Sequence, residues 1–162
     1  MGRGGGGRRL RPGARYQNGA PVVGRDVVAA WETLADPAFG ATVPGWGRIA
    51  DVRLPDDATV EIVTDGPYAP LLATVGVTPL CPHGAPADGT DAFVERFARR
   101  PVGSGPFRVD RWDAGRLTLE RYDRHWGGPA RLEGIDVRFV ADAAALLGEP
   151  AGGEVDVAGG AG

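Results

Sequence analysis

Residues 101–128 read PVGSGPFRVDRWDAGRLTLERYDRHWGG, and this stretch decides the fold. Residues 107–112 and residues 117–122 both alternate along the chain in the manner of β-strands, and the turn-forming Asp-Ala-Gly lies between them. Two such segments joined by a short turn predict a β-hairpin.

Regular alternation assigns each side chain of the hairpin to a face. Before the hairpin, Gly103 and Gly105 flank Ser104 and predict a tight, closely packed turn, because glycine has no side chain to obstruct one. The first strand is then expected to place Phe107, Val109 and Arg111 on one face and Arg108, Asp110 and Trp112 on the other.

The rest of the chain predicts a mixed α/β fold. Val27, Val28, Trp31 and Leu34 recur at helical spacing and indicate a helix with one apolar face. Asn18-Gly19 favours a turn with positive φ. The expected helices are residues 25–35, 68–75, 91–99 and 142–147; the expected strands are residues 9–11, 49–54, 59–63 and 134–140; residues 84–90 are expected to be a loop.

The motif order in the hairpin resembles that of the family 5 extracellular solute-binding proteins, the dipeptide- and oligopeptide-binding components of ABC importers. The shared order is G-[ST]-G-P-[YF], a strand ending in Trp, L-x-L-E-R and then Y-x-x-x-W-G-G. Residues 10–31, residues 48–63 with 67–74, and residues 135–147 with 153–158 are similar to other segments of the family and occur in the same order. The residues that the resemblance marks as structural are Gly19, Asp26, Gly103, Gly105, Pro106, Gly127 and Asp156.

The resemblance implies a fold and a function. The expected fold is a fragment of a type II periplasmic-binding-protein-like clamshell, comprising part of one lobe. Residues 10–158 would be a partial family domain between a disordered leader, residues 1–9, and a disordered tail, residues 159–162. The whole clamshell would close over a peptide or similar small solute and deliver it to ABC permease subunits, so this chain alone is expected to bind weakly.

The family is periplasmic or extracellular and membrane-anchored. The first residues, MGRGGGGRR, are basic but lack the apolar stretch of a signal peptide, so this chain as written is expected to stay in the cytoplasm.

Three aromatic residues of the hairpin region, Trp112, Tyr122 and Trp126, are the candidate ligand-binding residues. They could form a stacking wall, because the resemblance places this hairpin near the junction of the lobes. The alternative is that they pack in the core, where large aromatic side chains are common.

Catalysis, metal binding and cofactors are not expected. Cys81 and His83 flank Pro82 in an extended segment, where neighbouring side chains point to opposite faces, so they do not suggest a nucleophile and its base. The only two histidines, His83 and His125, have no ligand spacing, even with Asp88 or Asp123 added.

Composition and motifs also bear on other classes of protein. No run approaches the roughly 18 apolar residues of a membrane helix. The leader carries Arg3, Arg8 and Arg9, which could follow a nucleic-acid backbone, but it lacks aromatic residues for base stacking and no nucleic acid is expected. The alternatives to transport are a solute-sensing domain of a transcription regulator and a nucleic-acid-binding protein that uses this Arg/Gly leader. A small hydrolase is discounted, because no nucleophile, base and orienting acid recur at recognisable spacing. Self-association through exposed sheet edges is a further possibility.

Overall fold

The computed structural model describes residues 4–35, 45–76, 100–140 and residue 157. These residues form two three-stranded antiparallel sheets with two helices, which confirms the predicted mixed α/β class. The predictions for residues 84–90, 91–99 and 142–147, and for Cys81, His83, Asp88 and Asp156, lie outside the described residues. The elements are β1 Gly4–Arg9, α1 Gly24–Ala35, β2 Ile49–Asp56, β3 Thr59–Thr64, α2 Leu71–Gly76, β4 Phe107–Asp113, β5 Arg116–Arg121 and β6 Gly134–Arg138.

The first sheet has the order β1-β3-β2 and carries the core. The core consists of buried Ile49 and Val52 from β2 with Val60 and Ile62 from β3. The apolar face of α1 packs against this cluster, as its helical spacing predicts. The α1 residues in contact are Val27, Val28 and Trp31.

The start of β1 differs from the sequence-based expectation. Residues 1–9 were expected to be a disordered leader, but Gly4–Arg9 forms a strand that pairs antiparallel with β3. Glycine has low strand propensity, and the sequence here shows no alternation. The backbone of β3 supplies the pairing instead, and Leu10 continues it by donating its N–H to the Ala58 carbonyl at 2.7 Å.

Helix α1 is capped from within. The Asp26 carboxylate is 1% exposed and accepts the backbone N–H of Val23 at 2.8 Å. Val23, the residue before α1, has no side-chain oxygen that could cap the helix. The Asp26 carboxylate in the first turn provides the acceptor for the Val23 N–H instead. The family-motif aspartate therefore has a structural role at the start of α1.

The second sheet, β4-β5-β6, contains the predicted hairpin. A β-bulge between Val109 and Arg111 adds one residue to β4, so that Arg111 lies opposite Thr118 and Trp112 lies opposite Leu117. Residues opposite each other share a face. The expectation from regular alternation was therefore wrong beyond the bulge: Trp112 shares the face of Val109, and Arg111 lies on the other face.

Strand β6 completes this sheet and ends earlier than expected, at Arg138 and not at residue 140. Ile135 lies opposite Leu119 and Val137 opposite Leu117, which extends the apolar face across all three strands. A Cβ atom on Gly134 would lie 2.7 Å from the Leu119 carbonyl oxygen, so this position needs glycine.

Candidate functional site

The turn at residues 16–19 is joined to the segment before β4 by the side chain of Gln17. Its amide nitrogen donates to the carbonyls of Gly105 at 3.2 Å and Phe107 at 2.7 Å, and its amide oxygen accepts the Gly103 N–H at 3.0 Å. The Gln17 backbone N–H also donates to the Gly103 carbonyl at 2.9 Å. Gln17 thus bonds along this segment much as a neighbouring strand would.

A second contact joins the same parts. Tyr122, which follows β5, is 5% exposed, and its hydroxyl donates to the Tyr16 carbonyl at 3.0 Å. Its backbone N–H donates to the Pro106 carbonyl at 2.8 Å. Together with Gln17, these bonds fix the turn against the open end of the hairpin.

The structure gives the motif glycines different roles. Gly19 has φ +88°, as the Asn-Gly turn predicts, so any other residue would be strained there. Neither Gly103 nor Gly105 has a positive φ, and a Cβ atom would meet nothing closer than 3.9 Å at Gly103 and nothing within 4 Å at Gly105. The tight packing expected at these two glycines is absent, and their backbone bonds to Gln17 take its place.

The motif that closes the hairpin, Trp-Gly-Gly, forms a compact turn. His125 and Gly128 bond through the Gly128 N–H and the His125 carbonyl at 2.9 Å. A Cβ atom on Gly127 would lie 3.2 Å from the His125 ring, and Gly128 has φ +87°. The His125 ring therefore packs against the backbone of its own turn, where its Nδ1 lies within hydrogen-bonding distance of Gly127 and Gly128.

A groove of about 640 Å³ runs along β4 and is the best candidate for a binding site. Three segments line it: Gln17 and Asn18 of the turn, residues 100–102, and residues 108–112 of β4. We refer to it as the β4 groove. The sequence predicted neither Gln17 nor Arg100 as part of a site. For Gln17 the reason is that its hydrogen-bond partners lie 86 to 90 positions further along the chain.

Charge in the β4 groove is mainly positive. Arg108 is paired with Glu120 at 2.7 Å and Arg111 with Asp113 at 2.7 Å, so both guanidinium groups are already engaged. Arg100 is exposed and has no ion pair within the described residues. It is the groove cation that remains available to an anionic group.

The three candidate aromatic residues do not form one wall. Trp112 lines the β4 groove and is 47% exposed, whereas Tyr122 is buried at the opposite end of the hairpin, about 16 Å away along β5. Trp126 is 48% exposed, and the guanidinium of Arg11 lies 4.2 Å from its ring centroid. Only Trp112 lies where a bound molecule in the groove could contact it.

Among the described residues, two carboxyl groups have a lowered pKa, and both hold a turn or a strand pair together. Hydrogen bonds from Arg116 to Asp136 lower the pKa of Asp136, and the same bonds raise the pKa of Arg116. The backbone N–H of Ala58, at 2.8 Å, lowers the pKa of Asp56 in the β2–β3 turn. Neither carboxyl lines the β4 groove.

Within the described residues, no group of three or more His, Cys, Asp or Glu side chains could hold a metal ion. In the same part of the chain, no helix has the length and apolar character needed to cross a membrane.

The fold, two small antiparallel sheets with the turn at residues 16–19 hydrogen-bonded to the second, is that of part of a solute-binding protein. The chain belongs to the bacterial extracellular solute-binding proteins, family 5, whose middle region matches residues 8–162. This confirms the family predicted from the hairpin motif.

The chain is also similar to individual proteins in sequence and in structure. The dipeptide-binding protein DppE of Bacillus subtilis is 26% identical over 151 residues, which cover 82% of this chain and 28% of DppE. The HTH-type transcriptional regulator SgrR of Shigella dysenteriae is 27% identical over 146 residues, which cover 89% of this chain and 24% of SgrR. The structure of the PBP/SBP MoaA from A. tumefacien R10 in complex with mannopinic acid superposes with a TM-score of 0.75 at 31% identity, over 93% of this chain and 31% of MoaA.

The chain therefore spans less than a third of the length of each of these relatives. What it shares with them is the fold of the family.

Proposed function

We propose that this chain is part of the substrate-binding component of an ABC importer that takes up peptides or similar small solutes. Family membership and the peptide-binding relative support this role. The single structural observation that supports it is the β4 groove, an open depression of about 640 Å³ on the surface.

The chemistry of the groove suits a small solute with one anionic and one apolar end. Arg100 offers a guanidinium without an ion pair among the described residues, and guanidinium groups bind carboxylates through paired hydrogen bonds. Trp112 offers a half-exposed indole for apolar contact. A peptide with its terminal carboxylate has both features.

The groove alone is expected to bind weakly. It is open to solvent, whereas tight sites bury most of the ligand surface. Closure of a second lobe would remove the remaining surface from water. We therefore assign capture to two lobes and delivery to permease subunits in the membrane, with the whole protein periplasmic or extracellular.

Calorimetric titration of this chain with defined di- to pentapeptides tests the proposal. We expect saturable binding with a dissociation constant of about 1 mM, which corresponds to about 4 kcal/mol. Arg100→Ala should weaken it, and Arg124→Ala, an exposed arginine outside the groove, should not. Micromolar binding would contradict the need for a second lobe, and no binding at any peptide concentration would contradict the solute-binding role of the groove.

A solute-sensing domain of a transcription regulator is the second candidate, since SgrR matches this chain to the same degree as DppE. An antibody raised against this chain would locate the native protein in fractionated cells. The importer role predicts the protein outside the cytoplasm. A protein found in the cytoplasm and retained on DNA would support the regulator instead.

Binding without turnover is part of the proposal. The ring nitrogen Nδ1 of His125 is hydrogen-bonded within its own turn, and His125 is the only histidine among the described residues. Incubation with generic ester and peptide substrates should give no products above the rate without protein. Hydrolysis that is lost on alkylation of Cys81 would overturn this part.

A further inference from the structure

Among the described strands, β4 lies at the edge of its sheet. It pairs with β5 on one side, and no strand of residues 4–35, 45–76 or 100–140 pairs with the other side. Gln17 covers the beginning of this edge through the Phe107 carbonyl. From Arg108 to Trp112 the edge borders the β4 groove. A strand edge with open backbone groups is a template for another strand.

The side chains of the β4 edge are complementary in charge to those of a second, antiparallel copy of the same edge. Along the strand, the side-chain character runs positive, apolar, negative, positive, apolar, negative. An antiparallel second copy, related by a two-fold axis between Asp110 and Arg111, would therefore face opposite charges at four of the six positions. At the other two positions Val109 would face Trp112. The six residues are Arg108, Val109, Asp110, Arg111, Trp112 and Asp113.

The β-bulge makes this pairing geometrically consistent for the apolar residues. In a regular strand, Val109 and Trp112 would point to opposite faces, because an odd number of residues separates them. With the bulge, Val109 lies opposite Leu119 and Trp112 opposite Leu117, so both side chains lie on the apolar face. A pair across a two-fold axis normal to the sheet must share a face, and this one does.

The same holds for the outer charged pair. Arg108 lies opposite Glu120 and Asp113 opposite Arg116, which places both on the charged face. Arg108 and Asp113 are about half exposed, and Arg111 is 72% exposed, so a second copy could reach them. Arg108 and Arg111 would then share their ion pairs with Glu120 and Asp113 between the chain and its copy.

We propose that a second copy of this chain binds along the β4 edge, antiparallel and in this register, to form a continuous six-stranded sheet. Opposite charges directly across a strand pair stabilise it, and like charges destabilise it. The register is thus set by charge, with Val109 and Trp112 packed in two equivalent apolar contacts. A dimer through one short edge is expected to have a dissociation constant of about 10 to 100 µM.

Charge-swap variants test the register by sedimentation equilibrium. Asp110→Arg would place arginine against arginine twice, and Arg111→Asp would place aspartate against aspartate twice. Each should weaken the dimer by about tenfold or more. The double variant restores both contacts and should dimerise like the original chain, and the two single variants mixed together should form a heterodimer.

The matched control lies on the other sheet. Asp51 and Arg53 form an exposed pair at 2.6 Å on β2, which is also an edge strand. Asp51→Arg and Arg53→Asp change the net charge equally and should leave the dimer intact. Far-ultraviolet circular dichroism would verify that every variant is folded.

Each remaining outcome contradicts the proposal. A monomer up to about 500 µM would mean that the bulge protects the edge or that a strand from elsewhere in a longer protein normally covers it. A dimer that tolerates the single swaps, or that responds to the β2 variants, would place the interface elsewhere. Because the second copy would occupy the β4 groove, solute titrations should be made at chain concentrations where sedimentation shows a monomer.

Discussion

The side-chain amide of Gln17 contacts three backbone groups between Gly103 and Phe107. No local sequence pattern reveals this, because the partners are brought together only by the fold. The family motif did locate the partner segment, but it suggested close packing of Gly103 and Gly105. The structure shows that those positions matter through their backbone.

Replacing Gln17 with methionine keeps the size of the side chain and removes all three hydrogen bonds. Two carbonyls and one N–H would lose a partner in a partly buried site, so we expect the free energy of unfolding to fall by about 2 kcal/mol. Urea denaturation followed by tryptophan fluorescence would measure it. Arg124→Met, at an exposed position, should change it by no more than about 0.5 kcal/mol. Equal stability of the Gln17 variant and the original chain would contradict this role.

Two glycine substitutions separate a required glycine from a permissive one. Gly134→Ala places a Cβ atom against the Leu119 carbonyl, 2.7 Å away, and should reduce the free energy of unfolding by about 1 to 3 kcal/mol. Gly105→Ala meets nothing within 4 Å at a φ that is not positive, so it should be neutral or stabilise by up to about 1 kcal/mol. Chemical denaturation of both variants decides this, and the reverse order would contradict the packing described here.

At the scale of elements, local pattern was sufficient for α1, β2, β3 and the β4–β5 hairpin. Each has its own periodicity or turn signal. Strand β1 and the bulge in β4 were missed for one physical reason: both depend on a neighbouring strand. The glycines of β1 acquire strand structure only by pairing with β3, and the bulge exists only relative to the register of β5.

The capping of α1 by Asp26 gives a prediction for this helix. Asp26→Ala removes the acceptor for the Val23 N–H and should cost about 1 to 2 kcal/mol of stability. Circular dichroism during thermal unfolding would report the loss. Glu32→Ala is the control, since Glu32 is exposed on the same helix. An equal effect of both substitutions would mean that Asp26 contributes nothing beyond helix propensity.

The ion pair between β5 and β6 gives a pH prediction. Because Arg116 lowers the pKa of Asp136 in the folded state, the pair stabilises the sheet above the pKa of the unfolded carboxyl. That stability is lost as the pH falls through the lower, folded pKa. Carboxyl-carbon NMR of the folded chain should show Asp136 titrating below an ordinary aspartate, and Arg116→Met should return it towards the ordinary value. An unchanged titration in the variant would contradict the assignment.

At the scale of the whole molecule, the sequence identified the family, because four motif segments occur in the family's order. The candidate site was less predictable: of the three aromatic residues proposed to contact ligand, Trp112 alone lines the groove. The groove arises where the turn at Gln17 meets β4, two segments separated by most of the chain. A site formed by such distant segments has no signature within either one.

The proposed function predicts weak solute binding by this chain alone. It spans less than a third of the relatives compared, and its groove is open. In the proposed function, this chain contributes the Arg100 guanidinium and the Trp112 indole to the solute site. Closure of a second lobe over the groove would raise the affinity for the solute.

The central claim is that this chain contacts solute through the β4 groove, and two-dimensional ¹H–¹⁵N NMR of the chain titrated with dipeptide tests it most directly. The four tryptophan indole N–H groups serve as internal probes, with Trp31 in α1 and Trp126 outside the groove. We predict that the Trp112 indole and the backbone amides of Asn18 and Val102 shift together and saturate. Shifts confined to Trp126 or to the first sheet, with Trp112 unchanged, would contradict the account.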